Sequence, residues 1–304
     1  LKEGYCSYDL DTKAYVDLER KKADLVYRLS KGELCRFGKT SIIEKPEGIS
    51  DEVILSRMRY REGDPFTTER INESYSALNR LGIFGRTVID TEKKFFNVIP
   101  PEISTRLKEK MHLFNVALGF DSRVGARVRA TYDQYNFFGG GRKIGLEAQY
   151  STDIKKLTAN FLQPVLFSIS DRYFDFYADG GYYEEAYDDY DEKKAYLDLK
   201  IGHEEGCWSY DLGMTAERIE ITIDGERRDG IIPGNFNIIH PYLNIVYDTR
   251  DSHINPRKGY YLSAYLEPGY SRGEKDGSHY YKFLLEGHYI RSFGQMIFAG
   301  VGHF

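Results

Sequence analysis

Three stretches hold the residues whose types could do chemistry. In DTRDSHINPRKG, Asp248, Arg250, Asp251 and His253 combine carboxylates, a guanidinium and an imidazole, the materials of a hydrolytic or metal site. Asn255-Pro256 and Gly259 bound that stretch and favour a turn, so the expectation is a structural Asp248–Arg250 pair rather than a reacting one. Glu184, Glu185, Asp188, Asp189, Asp191 and Glu192 could supply oxygen ligands to Ca2+, but the spacing of an EF-hand loop is missing and a solvated loop accounts for the charge. Gly139-Gly140-Gly141-Arg142-Lys143 has the outline of a phosphate cradle, without the Gly-Lys-Ser/Thr continuation or the helix a P-loop needs. The seven histidines are dispersed, with no His-Glu-x-x-His helix and no Gly-x-Ser-x-Gly elbow. Cys6, Cys35 and Cys207 are an odd, scattered set with neither metal-ligand spacing nor a disulfide framework, and are expected to be unpaired. The expectation is therefore not an enzyme: no catalytic residue, no cofactor, no metal.

What remains is the elements themselves. From Gly125 to Ser151 the chain reads as two alternating strands joined at a run of glycines; Ile144, Leu146, Ala148 and Tyr150 share one face, Lys143, Gly145, Glu147, Gln149 and Ser151 the other. The chain of 304 residues is long enough for one large β domain or two ordinary ones. A net charge of −5 gives no basic field, so no nucleic-acid partner is expected. Aromatic residues make up 15%, with 26 Tyr against one Trp, and Tyr suits positions with one apolar and one wet end, such as the girdles of membrane proteins. No stretch is apolar enough for a transmembrane helix, whereas barrel strands leave only a weak hydropathy signal, in keeping with a mean hydropathy of −0.53.

Along the chain, 13–29 alternates as a hairpin about Arg20-Lys21-Lys22. Gly32 then opens a strand–helix–helix–strand–strand order. A strand is expected over 34–43 and a helix after Ser50. A second helix is capped by Thr67 or Thr68 and closed by Gly82, and strands follow near 86–91 and 98–108. The stretch EGDPFTTERINESYSALNRLGIFGRTVI resembles the POTRA signature, in which a Gly-x-Pro-aromatic turn opens a helix that ends in Leu-x-x-Leu-Gly-x-Phe. After Met111 the reading is β throughout, with strands near 112–120, 126–135, 142–151, 155–165, 172–184, 193–204, 207–220, 236–248, 259–270, 279–291 and 295–303. Their length suits tilted membrane strands. Short connections at 167–171 and 203–206 contrast with long polar ones at 185–193, 219–236 and 271–278, as periplasmic turns contrast with extracellular loops.

The segments NVALGFDSRVGARVRATYDQYNFFGGGRKI, LTANFLQPVLF and YDTRDSHINPRKGYYLSAYLEPGY resemble the TamA/BamA superfamily of POTRA-bearing outer-membrane assembly factors (the surface-antigen family), with TamA the nearer likeness. The resemblance implies an N-terminal α+β POTRA domain followed by an antiparallel all-β transmembrane barrel, here about 11 of an expected 16 strands. Residues 1–31 would be the C-terminal end of a preceding POTRA domain, 32–110 a POTRA domain and 111–304 the N-terminal part of the barrel. The family's Arg-Gly-Phe or Arg-Gly-Tyr loop and its closing strand do not occur in these residues, so an open barrel is expected, with an apolar outer face carrying Ile144, Leu146, Ala148, Ala195, Leu197, Leu199 and Ile201. The implied function is outer-membrane protein assembly or translocation: unfolded β-barrel or autotransporter substrates pair with POTRA sheet edges and with the first barrel strand at Leu113, Phe114, Asn115, Val116, Ala117, Leu118 and Gly119. That strand is expected to be short, with weak pairing beyond Gly119. The implied partners are those substrates, the lipid bilayer and an inner-membrane-anchored, TamB-like protein; the implied place is the bacterial outer membrane, with the POTRA part in the periplasm. The other reading is a secretion pore or passive channel of the same superfamily.

Overall fold

The computed structural model describes residues 4–17, 19–121, 125–223, 232–252, 254–273, 276–294 and 296–303. The chain divides into two compact units, Leu1–Glu109 and Lys110–Phe304.

The first unit begins with the antiparallel hairpin β1 (Tyr8–Asp17) and β2 (Lys22–Lys31). Then come β3 (Arg36–Phe37), β4 (Ser41–Glu44), α1 (Asp51–Leu55), α2 (Thr68–Arg80), β5 (Phe84–Asp90), β6 (Val98–Ile99) and β7 (Glu102–Leu107). Strands β4, β7 and β5 form one sheet, with β7 central, and β3 pairs in parallel with β6. The expected single strands at 34–43 and 98–108 are each broken in two. Pro100 and Pro101 have no N–H to donate, so the ladder stops between β6 and β7, and the facing chain stops with it between β3 and β4. Thr67 is the cap of α2: its hydroxyl oxygen accepts from the Arg70 amide at 3.3 Å. Gly82, at φ 74°, takes the left-handed position that ends the helix. Ser50 holds the cap position of α1 without a side-chain bond, and that helix is a single turn. Ile54, Leu78, Ile83 and Ile103 are fully buried, and beside them Cys35, Phe37, Tyr60, Phe66 and Ile99 make one apolar cluster.

The expectation of three unpaired thiols is wrong for two of them. Cys6 and Cys35 form a disulfide across 29 residues of sequence. The chains entering and leaving the β1–β2 hairpin run side by side: the Cys35 amide donates to Gly4 O at 2.8 Å, the Cys6 amide to Glu33 O at 3.2 Å, and Tyr5 bridges Leu34. A non-local ladder brings the cysteines together, which a count of spacings does not reveal. Closing a loop of this size restricts the unfolded chain by about 3.6 kcal/mol in the chain-entropy account.

The second unit is one eleven-stranded antiparallel sheet in strict sequence order. Its strands are β8 (His112–Asp121), β9 (Gly125–Tyr135), β10 (Lys143–Tyr150), β11 (Ile154–Ile169), β12 (Arg172–Ala186), β13 (Asp191–Glu205), β14 (Trp208–Thr222), β15 (Gly234–Asp248), β16 (Lys258–Arg272), β17 (Gly277–Phe293) and β18 (Met296–His303). All eleven expected strands are present. Two of the expected long loops are about half strand. β12 runs to Ala186 and β13 starts at Asp191, while β16 runs to Arg272 and β17 starts at Gly277. Glu192 of the first loop finds a partner in the sheet, accepting from Tyr183 at 3.2 Å, and beside it Lys155 pairs with Glu184 at 2.9 Å. Pro164 interrupts β11, the register shifts between Gln163 and Phe167, and the Val165 amide turns to the buried carboxylate of Asp175 at 2.9 Å.

The two faces of this sheet are the reverse of a soluble protein's. Leu212 is 62% exposed and Leu197 50%, whereas Asp175 and Glu267 are each 6% exposed. Leu146 and Ala148 also lie open, as do Leu157, Leu262, Phe283 and Phe298 on neighbouring strands. No second sheet covers them among the described residues. An apolar face of this extent is unstable in water and stable against lipid, so the unit is a partial β-barrel with its apolar side outward.

Candidate functional site

Strand β8 is an edge. It pairs with β9 from His112↔Gln134 to Asp121↔Gly125, and among the described residues nothing pairs with its other side. The ladder therefore runs through Gly119 to Asp121, two residues beyond the point where weak pairing was expected. Period two sorts its side chains. Phe114, Val116, Leu118 and Phe120 are exposed and continue the outer face across Tyr132, Ala130, Val128 and Ala126 of β9. Leu113, Asn115, Ala117 and Gly119 face the polar side, where Asn115 Nδ2 donates to Thr131 Oγ1 at 3.3 Å. Opposite Gly119 the Arg127 side chain lies so close that an added Cβ would meet its Nε at 2.8 Å, so no other residue fits there without moving it. Every expected seam residue is thus in one strand, with one ladder satisfied and one row of backbone N–H and C=O groups open.

The polar face behind this edge is a network of carboxylates held by phenols and cations. Glu147 accepts from Arg129 and Lys156; Asp198 accepts from Thr215 at 2.7 Å and Tyr242 at 3.1 Å; Glu267 accepts from Tyr265 and Tyr280. Lys194 pairs with Glu217 at 2.6 Å, and His240 stands between Glu217 and Glu267, 3.9 and 3.6 Å away. Tyr242, Tyr265 and Tyr280 are used here, each with a hydroxyl that satisfies a charge.

At 248–258 the turn reading is right. Arg250 holds both oxygens of Asp248, at 2.9 and 2.7 Å, and its guanidinium lies 4.6 Å over the Tyr261 ring. Asp251 accepts from the amides of Arg257 and Lys258 at 2.8 and 3.2 Å, and the Arg257 amide holds its carboxyl below the usual range. His253 lies outside the described residues. The glycine run is the turn between β9 and β10, with Asn136 Oδ1 accepting from the Gly141 amide at 3.0 Å and Arg142 folded back onto Gln163 and Phe138 O. Sequence reading missed one convergence. Glu286, His288 and His303 meet on the polar face of β17 and β18. Glu-x-His in an alternating strand is its only local trace.

A POTRA-like α+β unit leading into a sheet with its apolar side outward defines the class of POTRA-bearing β-barrel proteins. The POTRA family, described as surface antigen variable number repeat, matches residues 36–110, and the Omp85 superfamily domain matches residues 136–303. The chain belongs to the Omp85 superfamily. It is 23% identical over 286 residues to the outer membrane protein assembly factor BamA of Nitratidesulfovibrio vulgaris, covering 88% of this chain and 34% of that protein. The chain thus spans about a third of the length of the curated relative it matches. Among solved structures it is similar to BamA from Haemophilus ducreyi lacking POTRA domains 1–3, with a TM-score of 0.52, 15% identity, and 94% of this chain and 57% of that one covered. The likeness to CdiB from Escherichia coli has a TM-score of 0.48 at 13% identity, over 99% of this chain and 59% of that one.

Proposed function

We propose that this chain is part of an outer-membrane protein assembly or translocation factor that receives unfolded β-barrel or autotransporter substrates by strand pairing. The observation that carries the reading is the open edge of β8, a strand with its ladder to β9 complete and its other backbone groups unpaired among the described residues. An incoming strand can satisfy that edge by β-augmentation while its apolar side chains continue the outer face. The outer edges of the POTRA sheet, β4 and β5, offer the same chemistry upstream. The place of action is the bacterial outer membrane, with residues 1–110 in the periplasm. The Cys6–Cys35 disulfide supports an oxidising compartment for that unit. Hairpin β1–β2, with Leu10, Val16, Leu25 and Leu29 exposed on one face, supports assigning residues 1–31 to a further POTRA unit. Partners are the substrate strands, the bilayer and an inner-membrane-anchored, TamB-like protein. The reading assigns no catalytic step to any residue.

The test locks the seam. With cysteines in the full-length protein at Asn115 and at the facing position of the closing strand, oxidation should abolish assembly while the barrel stays folded, and reduction should restore it. Full activity with the seam quantitatively locked would favour the other reading, a pore that passes its cargo through the lumen.

A further inference from the structure

On the polar face of the β17–β18 hairpin, one donor atom each from Glu286, His288 and His303 lies within 4.8 Å of the other two. Register explains the convergence. Glu286 and His303 are directly opposed in the ladder, and His288 follows Glu286 by two residues, hence on the same face. Nε2 of His288 is 2.7 Å from Oε1 of Glu286. The His288 ring is steadied by Tyr261, 5.1 Å away between centroids, and meets the His303 ring edge-on at 6.3 Å. Ile290, the next residue on the same face of β17 after His288, is 8% exposed.

A glutamate–histidine hydrogen bond needs no third group, yet a second imidazole is brought to the same point from the facing strand. Two imidazole nitrogens and one carboxylate oxygen are a borderline donor set suited to a divalent transition metal, and three protein ligands leave one position for water. The neighbouring cations do not fill the place. Arg250 interacts electrostatically with Glu286, but both oxygens of Asp248 hold it; Lys282 lies over the Tyr265 ring; Arg291 alternates onto the opposite face. We propose that Glu286, His288 and His303 bind a divalent transition-metal ion, Zn2+ being the ion that fits, and that the ion staples β18 to β17 from the lumenal side. The site is independent of the assembly reading, since it needs only the β17–β18 register.

The experiment uses the intact protein folded in detergent, stripped with a chelator and titrated with Co2+, whose visible absorption reports coordination, followed by displacement with Zn2+. One equivalent of Co2+ with the bands of a four- or five-coordinate nitrogen–oxygen site is expected. His288→Ala and His303→Ala should each weaken binding at least tenfold. His279→Ala, on the outer face of the same strand beside Tyr270, should leave binding unchanged. Independently of any variant, Zn2+ should slow amide exchange in residues 296–303 and leave β13 unaffected. Binding that survives both histidine substitutions, no saturable binding at all, or unchanged exchange in β18 would each overturn the proposal.

Discussion

Tyr60 shows how a single residue ties the POTRA core to solution conditions. Its ring stacks on Phe37 at 3.9 Å between centroids, its hydroxyl accepts from Thr40 Oγ1 at 3.1 Å, and burial pushes its phenol up to about 12. A phenol raised in the folded state keeps its stability below the unfolded value, near 10. It loses that stability as pH climbs through the folded one, because the folded protein then holds the proton longer than the unfolded chain. The loss should amount to about 2 kcal/mol between pH 10 and 12, by the equivalence of one pKa unit and about 1.4 kcal/mol. Among the described residues both helices lie in this unit, so urea unfolding of the intact protein, followed by the helical circular dichroism signal, isolates it. Wild type should lose this increment relative to Tyr60→Phe over that range. Identical slopes for the two proteins would refute the assignment. The same cluster holds Cys35, whose bond to Cys6 makes the hairpin base part of this core.

At the level of the strand, one side chain reports which side faces lipid. Leu197 in β13 is exposed on the outer face, between the lumenal Tyr196 and Asp198. Leu197→Arg should lower folding stability in bilayers by about 2–4 kcal/mol if it lies near the midplane. The measurement is equilibrium folding into lipid vesicles, and an unchanged or raised stability would contradict the outward assignment. The strands themselves were legible in the sequence because period two survives wherever one face meets lipid and the other water, as with Ala195, Leu197, Leu199 and Ile201. Polar ends of strands were not: Glu185, Asp191 and Glu192 read as a loop until their cross-strand partners are known. Register was equally out of reach, and register is what joins Cys6 to Cys35 and His303 to Glu286. For the candidate site, alternation showed β8 as a strand and the family resemblance alone implied a seam role for it; how far its ladder runs depends on β9 meeting it up to Asp121.

For the molecule as a whole, the account requires that β8, which with β18 forms the two edges of the sheet among the described residues, behave differently from the interior strands. Interior strands such as β13 have both ladders occupied, by β12 and β14, and can take no further strand without breaking one. β8 has its inner ladder complete and its outer row open among the described residues, so a substrate can pair there at no such cost. The measurement that tests this most directly is a cross-linking scan during assembly. Photoreactive residues are placed one at a time from Leu113 to Gly119, and in parallel at Leu197 and Leu199 of β13, in the full-length protein while it handles a nascent outer-membrane protein. The account predicts substrate adducts along β8, in a register that advances residue by residue along one substrate strand, and none above background in β13. Assembly that proceeds without adducts anywhere from Leu113 to Gly119, or with equal adducts in both strands, would contradict it.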